Sequence, residues 1–320
     1  NYGDFYFAFR VLPTIIFFSS LMAVLYHIGL LQLVVRGLGF VMRYTLRTSG
    51  AESLSAASNI FVGQTEAPFV ISPYIPTMTQ SELMAVMVGG FATVAGGVLA
   101  VYISFGVDAG HLVAASFISA PAGLVIAKIM VPETETPQTL GTSGTVVKRS
   151  TSNLIEAATN GATDGLKLAL NVAAMLIAFM ALIAMVDFVL ERLAYGLLTQ
   201  MLGWKDAPAV TLAWLCGHLF RPIAFVMGIP WEDCFHCGQL LGLKMVANEL
   251  LAYQQMSLWL DGGEGLPVLQ ERSTTILTYA LCGFANFASI GIQVGGIGGL
   301  APERRKDLAQ LGFRAMIGGT

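Results

Sequence analysis

Two carboxylates, Glu66 and Glu249, stand within stretches of this chain that are otherwise almost entirely apolar. Their neighbours in residues 59–68 and 244–249 are apolar enough to lie inside a lipid bilayer. An ionisable group at that depth is costly unless it faces a cavity, a partner or a ligand. Because the pattern occurs twice, it indicates a polar substrate site within a membrane protein.

The composition agrees with a membrane setting. Hydrophobic residues make up 55% of the 320 residues, charged residues make up only 12%, and the mean hydropathy is +0.69. Soluble domains carry about 25% charged residues, whereas each membrane helix needs about 20 apolar residues. No basic patch interleaved with aromatic residues is present, so we expect no nucleic acid partner. We also expect elements to be missing at both ends, since the chain starts and stops at apolar spans.

Apolar runs and their interruptions predict an all-α polytopic membrane protein. Gly63 and Pro68 interrupt one long apolar run, which predicts a re-entrant hairpin that enters and leaves the membrane on one side. A region rich in Thr, Ser and Gly predicts a linker. In chain order, the first half contains a predicted span over residues 1–31, an interfacial amphipathic helix over 32–48, a hairpin over about 52–79, spans over 83–105 and 111–131, and a linker over 132–165.

The same order recurs after the linker, which predicts an inverted repeat of residues 49–131 by residues 195–320. Inverted repeats with discontinuous elements that meet near the midplane are typical of secondary transporters. Basic residues concentrate in the loops of one side, which the positive-inside rule makes cytoplasmic. The second half contains a predicted span over residues 166–194, a second hairpin over about 232–260, a following span over 274–300 and a truncated last span.

The tip of the first predicted hairpin carries three adjacent polar side chains. Gln64, Thr65 and Glu66 supply an amide, a hydroxyl and a carboxylate. Gly63 permits a turn, and Pro68 leaves a carbonyl without its helical partner. This combination suits a polar ligand together with an alkali cation, which prefers oxygen ligands.

Polar residues of the second half could complete such a site. Glu249 offers acceptors for vicinal hydroxyls, and Asn286 and Ser289 are spaced to share one helical face, with Phe284 as an aromatic wall nearby. The alternative is that these groups only join neighbouring helices, which is a common role of small polar residues in membranes. For Thr93 taken alone, that alternative is favoured.

Two other function classes find less support. A channel would need a continuous polar stripe along several spans, whereas the polar groups here gather at hairpins and helix centres. An intramembrane enzyme would need a nucleophile–base pair or a metal set. Cys234 and Cys237 have the spacing of half a zinc site, but no second pair matches them.

At these residues the chain resembles the concentrative nucleoside transporter family. Residues 63–68, Gly-Gln-Thr-Glu-Ala-Pro, match its first-hairpin motif. Residues 242–253 match its signature G-x-K-x-x-x-N-E-F-V-A-aromatic, except that Leu250 and Leu251 replace Phe and Val. Residues 283–293 match the helix that follows. The resemblance covers essentially the whole chain.

The resemblance implies a sodium-coupled symporter of uridine-like nucleosides in the cell (inner) membrane, with proton coupling as the alternative. It implies a homotrimer of elevator type, in which a transport domain formed by the two repeats moves past a scaffold that includes residues 1–31 and 166–194. Thr93 stands where relatives have Ser and keeps the hydroxyl, which favours sodium. The implied roles are nucleobase contact by Gln64, Thr65, Glu66, Val98 and Phe284, ribose contact by Glu249, Asn286 and Ser289, and sodium binding by the side chains of Asn59 and Thr93 and the carbonyls of Val62 and Val94.

Overall fold

All regular structure that the computed structural model describes is helical, which confirms the predicted all-α class for that part of the chain. It describes residues 7–140, 151–194, 209–260, 262 and 265–320. The helices are α1 Phe7–His27, α2 Leu30–Leu46, α3 Gly50–Asn59, α4 Ala67–Val70, α5 Gln80–Ala92, α6 Gly96–Ser104, α7 Ala109–Met130, α8 Leu154–Ala194, α9 Leu212–Val226, α10 Cys234–Val246, α11 Glu249–Leu260, α12 Glu271–Leu281, α13 Phe287–Leu300 and α14 Arg305–Gly319.

Two helical segments within these residues are long and apolar enough to cross a membrane, Gln80–Ser104 and Ala109–Met130. The count becomes three when the bent pair Pro13–His27 and Leu30–Leu46 is taken as one broken span, with a bend of 75°. The bend falls at Gly29, whose φ of 89° lies in the left-handed region that favours glycine.

The chain divides into two compact units, Asn1–Ala169 with Cys282–Thr320, and Leu170–Leu281. In the first unit, α5 is the central helix: all its residues from Ser81 to Ala92 are buried, and it packs against α3, α7 and α14. A helix that is apolar on every side is stable only when every side is covered. In the second unit, α10 packs against α9, α11 and α12.

The predicted linker over residues 132–165 is partly wrong, because α8 begins at Leu154. Gly161 and Gly165, which fall within the predicted bounds, lie in this helix and pack against α1. A β-carbon at these positions would lie 2.6 and 2.8 Å from atoms of α1. These two glycines therefore allow α8 and α1 to approach closely.

Two predicted spans, residues 83–105 and 274–300, are each interrupted in the structure. The first is divided into α5 and α6 by residues 93–95, where Thr93 is extended with φ −115° and ψ 166°. The second is divided into α12 and α13 by residues 282–286. Each predicted span therefore consists of two helices separated by a break, and both breaks expose backbone groups within a helical setting.

Each segment predicted as a hairpin contains a helix, a break and a second helix. In the first segment, seven residues, 60–66, separate α3 from α4, and in the second, two residues, 247–248, separate α10 from α11. Entry of these segments into the membrane from opposite sides stays a prediction.

The starts of α3 and α5 each carry a capping box, and one hydrogen bond links the two. Ser49 and Thr79 cap their helices, each paired with a glutamate three residues later, Glu52 or Glu82. The Ser49 hydroxyl also donates to Glu82 Oε1 at 2.5 Å. Lys128 of α7 lies 2.8 Å from Glu52 Oε2, and the Glu52 side chain is only 1% exposed. A buried carboxylate is thus held by one cation.

Replacement of that cation should destabilise the first unit. In Lys128→Met, Glu52 loses its ion-pair partner while remaining buried, and we expect the free energy of unfolding to fall by about 3 kcal/mol, seen as a lower thermal unfolding temperature in detergent. Lys167→Met is the matched control, because Lys167 and its partner Asp164 are both at least 70% exposed. Equal unfolding temperatures for the two variants would contradict the assigned role of Lys128.

Candidate functional site

The two broken spans meet in the first unit. The Phe284 N–H donates to the Thr93 carbonyl at 3.3 Å, which joins the break after α12 to the break after α5. Gly283 adopts φ 138°, and a β-carbon there would lie 2.8 Å from the Phe91 carbonyl oxygen. Only a residue without a side chain fits this conformation and this approach.

A third break joins them. The Gly96 N–H at the start of α6 donates to the Phe61 carbonyl at 3.1 Å. Phe61 follows the end of α3, so the break in residues 60–66 lies beside the break in residues 93–95. Non-helical backbone at one place leaves carbonyl groups available to a ligand.

The residues predicted to bind sodium gather at this place. Asn59 ends α3 and is 1% exposed, and its side-chain oxygen and nitrogen have no hydrogen-bond partner among the described residues. The Thr93 hydroxyl donates to the Gly89 carbonyl at 2.8 Å, and a β-carbon on Gly89 would lie 3.4 Å from Asn59 Nδ2. Val62 and Val94 lie in the two adjoining breaks, outside the helices.

These groups fit a hard cation. Asn59 offers an amide oxygen, Thr93 retains a free lone pair on its hydroxyl, and the two valines offer backbone carbonyls. Carbonyl, amide and hydroxyl oxygens of this kind are the ligands that an alkali ion prefers. A buried amide oxygen with no partner is costly by itself, and a bound ion would satisfy the oxygen of Asn59.

Polar side chains from α13 and from the break in residues 60–66 form a hydrogen-bonded relay beside this place. Gln64 donates from Nε2 to Ser289 Oγ at 3.2 Å. Gln293 donates from Nε2 to Gln64 Oε1 at 3.0 Å and to the Met87 carbonyl at 3.2 Å. The Ser289 N–H in turn donates to Asn286 Oδ1 at 2.9 Å. The structure therefore brings together the predicted nucleobase residue Gln64 and the predicted ribose residues Asn286 and Ser289.

The expectation that Asn286 and Ser289 share one helical face is wrong. Asn286 is the residue that caps α13, with an extended backbone at φ −140° and ψ 165°. Asparagine is favoured at this position because its side chain satisfies a free N–H of the first turn. The two residues are nonetheless adjacent through that hydrogen bond.

Three further residues predicted to contact the nucleoside lie in or near the break in residues 60–66. Thr65 is half-buried and packs near Gly296 of α13, where a β-carbon would lie 3.0 Å from Thr65 Cγ2. Glu66 is exposed, and its carboxylate lies close to the α-carbon of Gly63. Val98, in the first turn of α6, is buried. These side chains differ in accessibility, and Glu66 is the one open to the outside of its unit.

Glu249 belongs to the second unit, where it is the first residue of α11 and is 5% exposed. The preceding Asn248 accepts a hydrogen bond from the Leu251 N–H at 2.9 Å. Lys244, at the end of α10, is buried and donates to the Ala280 carbonyl at 2.9 Å. The predicted ribose carboxylate thus stands at a helix break, as the sequence indicates.

Comparison with known proteins identifies the family. Residues 111–320 match the family described as "Na+ dependent nucleoside transporter C-terminus", and residues 8–109 match the family described as "Nucleoside recognition". The chain belongs to the concentrative nucleoside transporter family. It is therefore a secondary transporter and not an enzyme, and sodium is the co-transported ion of its family.

Similar proteins include bacterial and mammalian transporters. The transporter chain is 47% identical to an uncharacterized transporter of Haemophilus influenzae, over 99% of this chain and 74% of that one. It is 44% identical to sodium/nucleoside cotransporter 1 of Rattus norvegicus, over 98% of this chain and 49% of that one. It thus spans about half the length of the rat relative.

Solved structures agree with the fold. A structure of CNTnw in an inward-facing substrate-bound state superposes with a TM-score of 0.88 at 48% identity, over 99% of this chain and 72% of that one. A CNTnw variant in an outward-facing state superposes with a TM-score of 0.90 at 47% identity, with the same coverage. Both likenesses extend over nearly the whole transporter chain.

One residue of the transporter site was missed by sequence reasoning. Gln293 is fully buried and contacts Gln64, yet no role was predicted for it beyond membership of the motif in residues 283–293. The available signal was its position four residues after Ser289, which puts both on one face of an otherwise apolar helix.

Proposed function

We propose that this transporter carries uridine-like nucleosides into the cytoplasm together with sodium, by alternating access. The observation that supports this most directly is the buried, partnerless amide of Asn59, which lies with Thr93 against Gly89 where the helix breaks adjoin. A buried polar group without a partner calls for a ligand. The chemistry of the surrounding oxygens fits sodium.

The nucleoside would bind beside the ion. Gln64, Thr65 and Glu66 would contact the nucleobase together with Val98 and Phe284, and Asn286, Ser289 and Glu249 would hold the ribose hydroxyls. The Phe284 N–H donates to the carbonyl of Thr93, so a residue that would contact the nucleoside and a residue that would bind sodium are linked by one backbone hydrogen bond. Ordering of one site would therefore favour binding at the other, by the same factor in both directions.

The movement that follows would be of elevator type, in a homotrimer within the inner membrane. Residues 1–31 and 166–194 would belong to the scaffold, and residues 49–131 and 195–320 would carry the two hairpins of the transport domain. Bound cargo and ion would satisfy polar groups that are costly to move empty through a membrane. CNTnw has been solved in inward-facing, outward-facing and intermediate states, which supports alternating access here.

Asn59→Ala tests the sodium site. Loss of the amide oxygen removes one ion ligand, and a charge-assisted contact contributes about 1.5 kcal/mol. We therefore expect the sodium concentration needed for half-maximal uridine uptake to rise by roughly tenfold or more. The measurement is radiolabelled uridine uptake into proteoliposomes over a sodium series, with choline as the replacement cation.

Asn160→Ala is the matched control, because Asn160 is exposed on α8. Unchanged sodium dependence in Asn59→Ala would reject the ion site. Uptake by the wild type that is equally fast in sodium and in choline, and that follows a proton gradient, would instead identify proton coupling.

A further inference from the structure

Gln293 forms the closed end of the relay that holds Gln64. Its side chain is 0% exposed, and its Nε2 donates to two oxygens, Gln64 Oε1 at 3.0 Å and the Met87 carbonyl at 3.2 Å. An amide nitrogen has two hydrogens, so both are used. Its Oε1 is buried and has no hydrogen-bond partner among the described residues.

The Met87 carbonyl sets the direction of the hydrogen bonds that link Gln293, Gln64 and Ser289. A backbone carbonyl can only accept, so the nitrogen of Gln293 must face it; a reversed Gln293 would place oxygen against oxygen. That same nitrogen then requires an acceptor on Gln64, which turns the Gln64 oxygen towards Gln293. The Gln64 nitrogen consequently faces Ser289.

This direction determines what Gln64 offers to a ligand. Ser289 could either donate or accept, so it cannot orient the amide by itself. Because its oxygen is turned towards Gln293, Gln64 has its NH2 group at the opposite end of the amide, and one of the two hydrogens remains after the bond to Ser289. Ser289, as the acceptor of that bond, keeps its own hydrogen for donation.

Gly90 provides the space for this arrangement. A β-carbon on Gly90 would lie 2.7 Å from Gln293 Nε2 and 3.1 Å from Gln64 Cβ. Both glutamines therefore pack against the bare backbone of α5, three residues after Met87. The relay is built into the buried core of the first unit.

We propose that Gln293 is a positioning residue that determines nucleobase preference. It holds the Gln64 amide with its N–H end towards the bound nucleoside, so the site favours a base carbonyl over a base amino group. The inference rests on the proposed function, because it requires Gln64 to contact the base. Gln293 itself acts through Gln64 and need not touch the cargo.

The test compares uridine with cytidine: uridine has a base carbonyl beside a ring N–H, whereas cytidine has an amino group beside a ring nitrogen that carries no hydrogen. Methionine is similar in size to glutamine but has no hydrogen-bond donor, so in Gln293→Met the Gln64 amide is free to reverse. We expect the ratio of uridine affinity to cytidine affinity to fall by about tenfold, equivalent to 1.4 kcal/mol. Binding to the purified protein in sodium is measured by calorimetry, and the ratio does not depend on the active fraction.

Ile292→Met is the matched control, since Ile292 is 38% exposed on the same helix. Its ratio of uridine affinity to cytidine affinity should stay at the wild-type value. A ratio in Gln293→Met within twofold of wild type, with both affinities lowered equally or unchanged, would overturn the positioning role. If that variant cannot be purified, Gln293→Glu, which in its neutral form keeps only one donor, should shift the ratio in the same direction by roughly threefold, and no shift would overturn the role. Failure of the wild type to bind any nucleoside would instead overturn the proposed function.

Discussion

Uridine uptake should fall by roughly 100-fold in Glu249→Gln, while the protein still folds and assembles as the wild type does. Glu249 is buried at the start of α11, and in the proposed site its carboxylate accepts hydrogen bonds from the ribose hydroxyls. A charge-assisted hydrogen bond contributes about 1.5–3 kcal/mol, and loss of two such bonds corresponds to about this factor or more. Glutamine keeps the size of the side chain but replaces one acceptor by a donor.

The measurement is initial uridine uptake into proteoliposomes, with size-exclusion chromatography in detergent as the check on folding. Glu271→Gln supplies the matched control, because Glu271 is exposed in the first turn of α12, in the same unit. Unimpaired uptake by Glu249→Gln would reject the ribose role. Poor folding of that variant, with normal folding of the control, would point to a structural role for the carboxylate.

Gly283→Ala should abolish transport and destabilise the first unit. Its φ of 138° is strained for any residue with a β-carbon, which costs about 1–3 kcal/mol. The new carbon would also lie 2.8 Å from the Phe91 carbonyl and 3.1 Å from that of Ala92, and overpacking of this kind costs a further 1–3 kcal/mol or so. The break after α12 would move away from the break after α5, and the Phe284 bond to Thr93 would be lost.

Thermal unfolding in detergent and uridine binding in sodium are the two measurements. Gly295→Ala is the control in the neighbouring helix, because nothing lies within 4 Å of a β-carbon at that position and alanine is the better helix former. We expect that control to unfold at or above the wild-type temperature. Wild-type stability and binding in Gly283→Ala would show that the crossing of the two breaks tolerates a side chain.

Several sequence predictions failed at glycines, for one shared reason. Gly161 and Gly165 fall within the bounds of the predicted linker, but they lie in α8 where it packs against α1. Gly283 falls within the span predicted over residues 274–300, where it allows the chain to break and pass close to α5. A glycine has the same local signature whether it serves flexibility, close packing or an unusual backbone angle, and only its neighbours in space distinguish these roles.

Site residues were predicted unequally well. Gln64 and Ser289 were predicted from their type and from the family motifs, and the structure brings them into contact although 225 positions separate them. Their roles in binding stay predictions until they are tested. Gln293 was missed because an amide within an apolar helix is usually a link between helices, and its significance depends on which atoms it meets.

The sequence alone was enough to predict an all-α membrane transporter and its family, because apolar length, carboxylates within apolar segments and short polar motifs are local properties. Only the tertiary structure decided where the spans break, which breaks lie side by side and how the amide relay is oriented. These features depend on contacts between residues far apart in the chain, such as Met87 with Gln293 and Thr93 with Phe284. A local pattern records which groups must be satisfied, whereas packing determines which partner satisfies them.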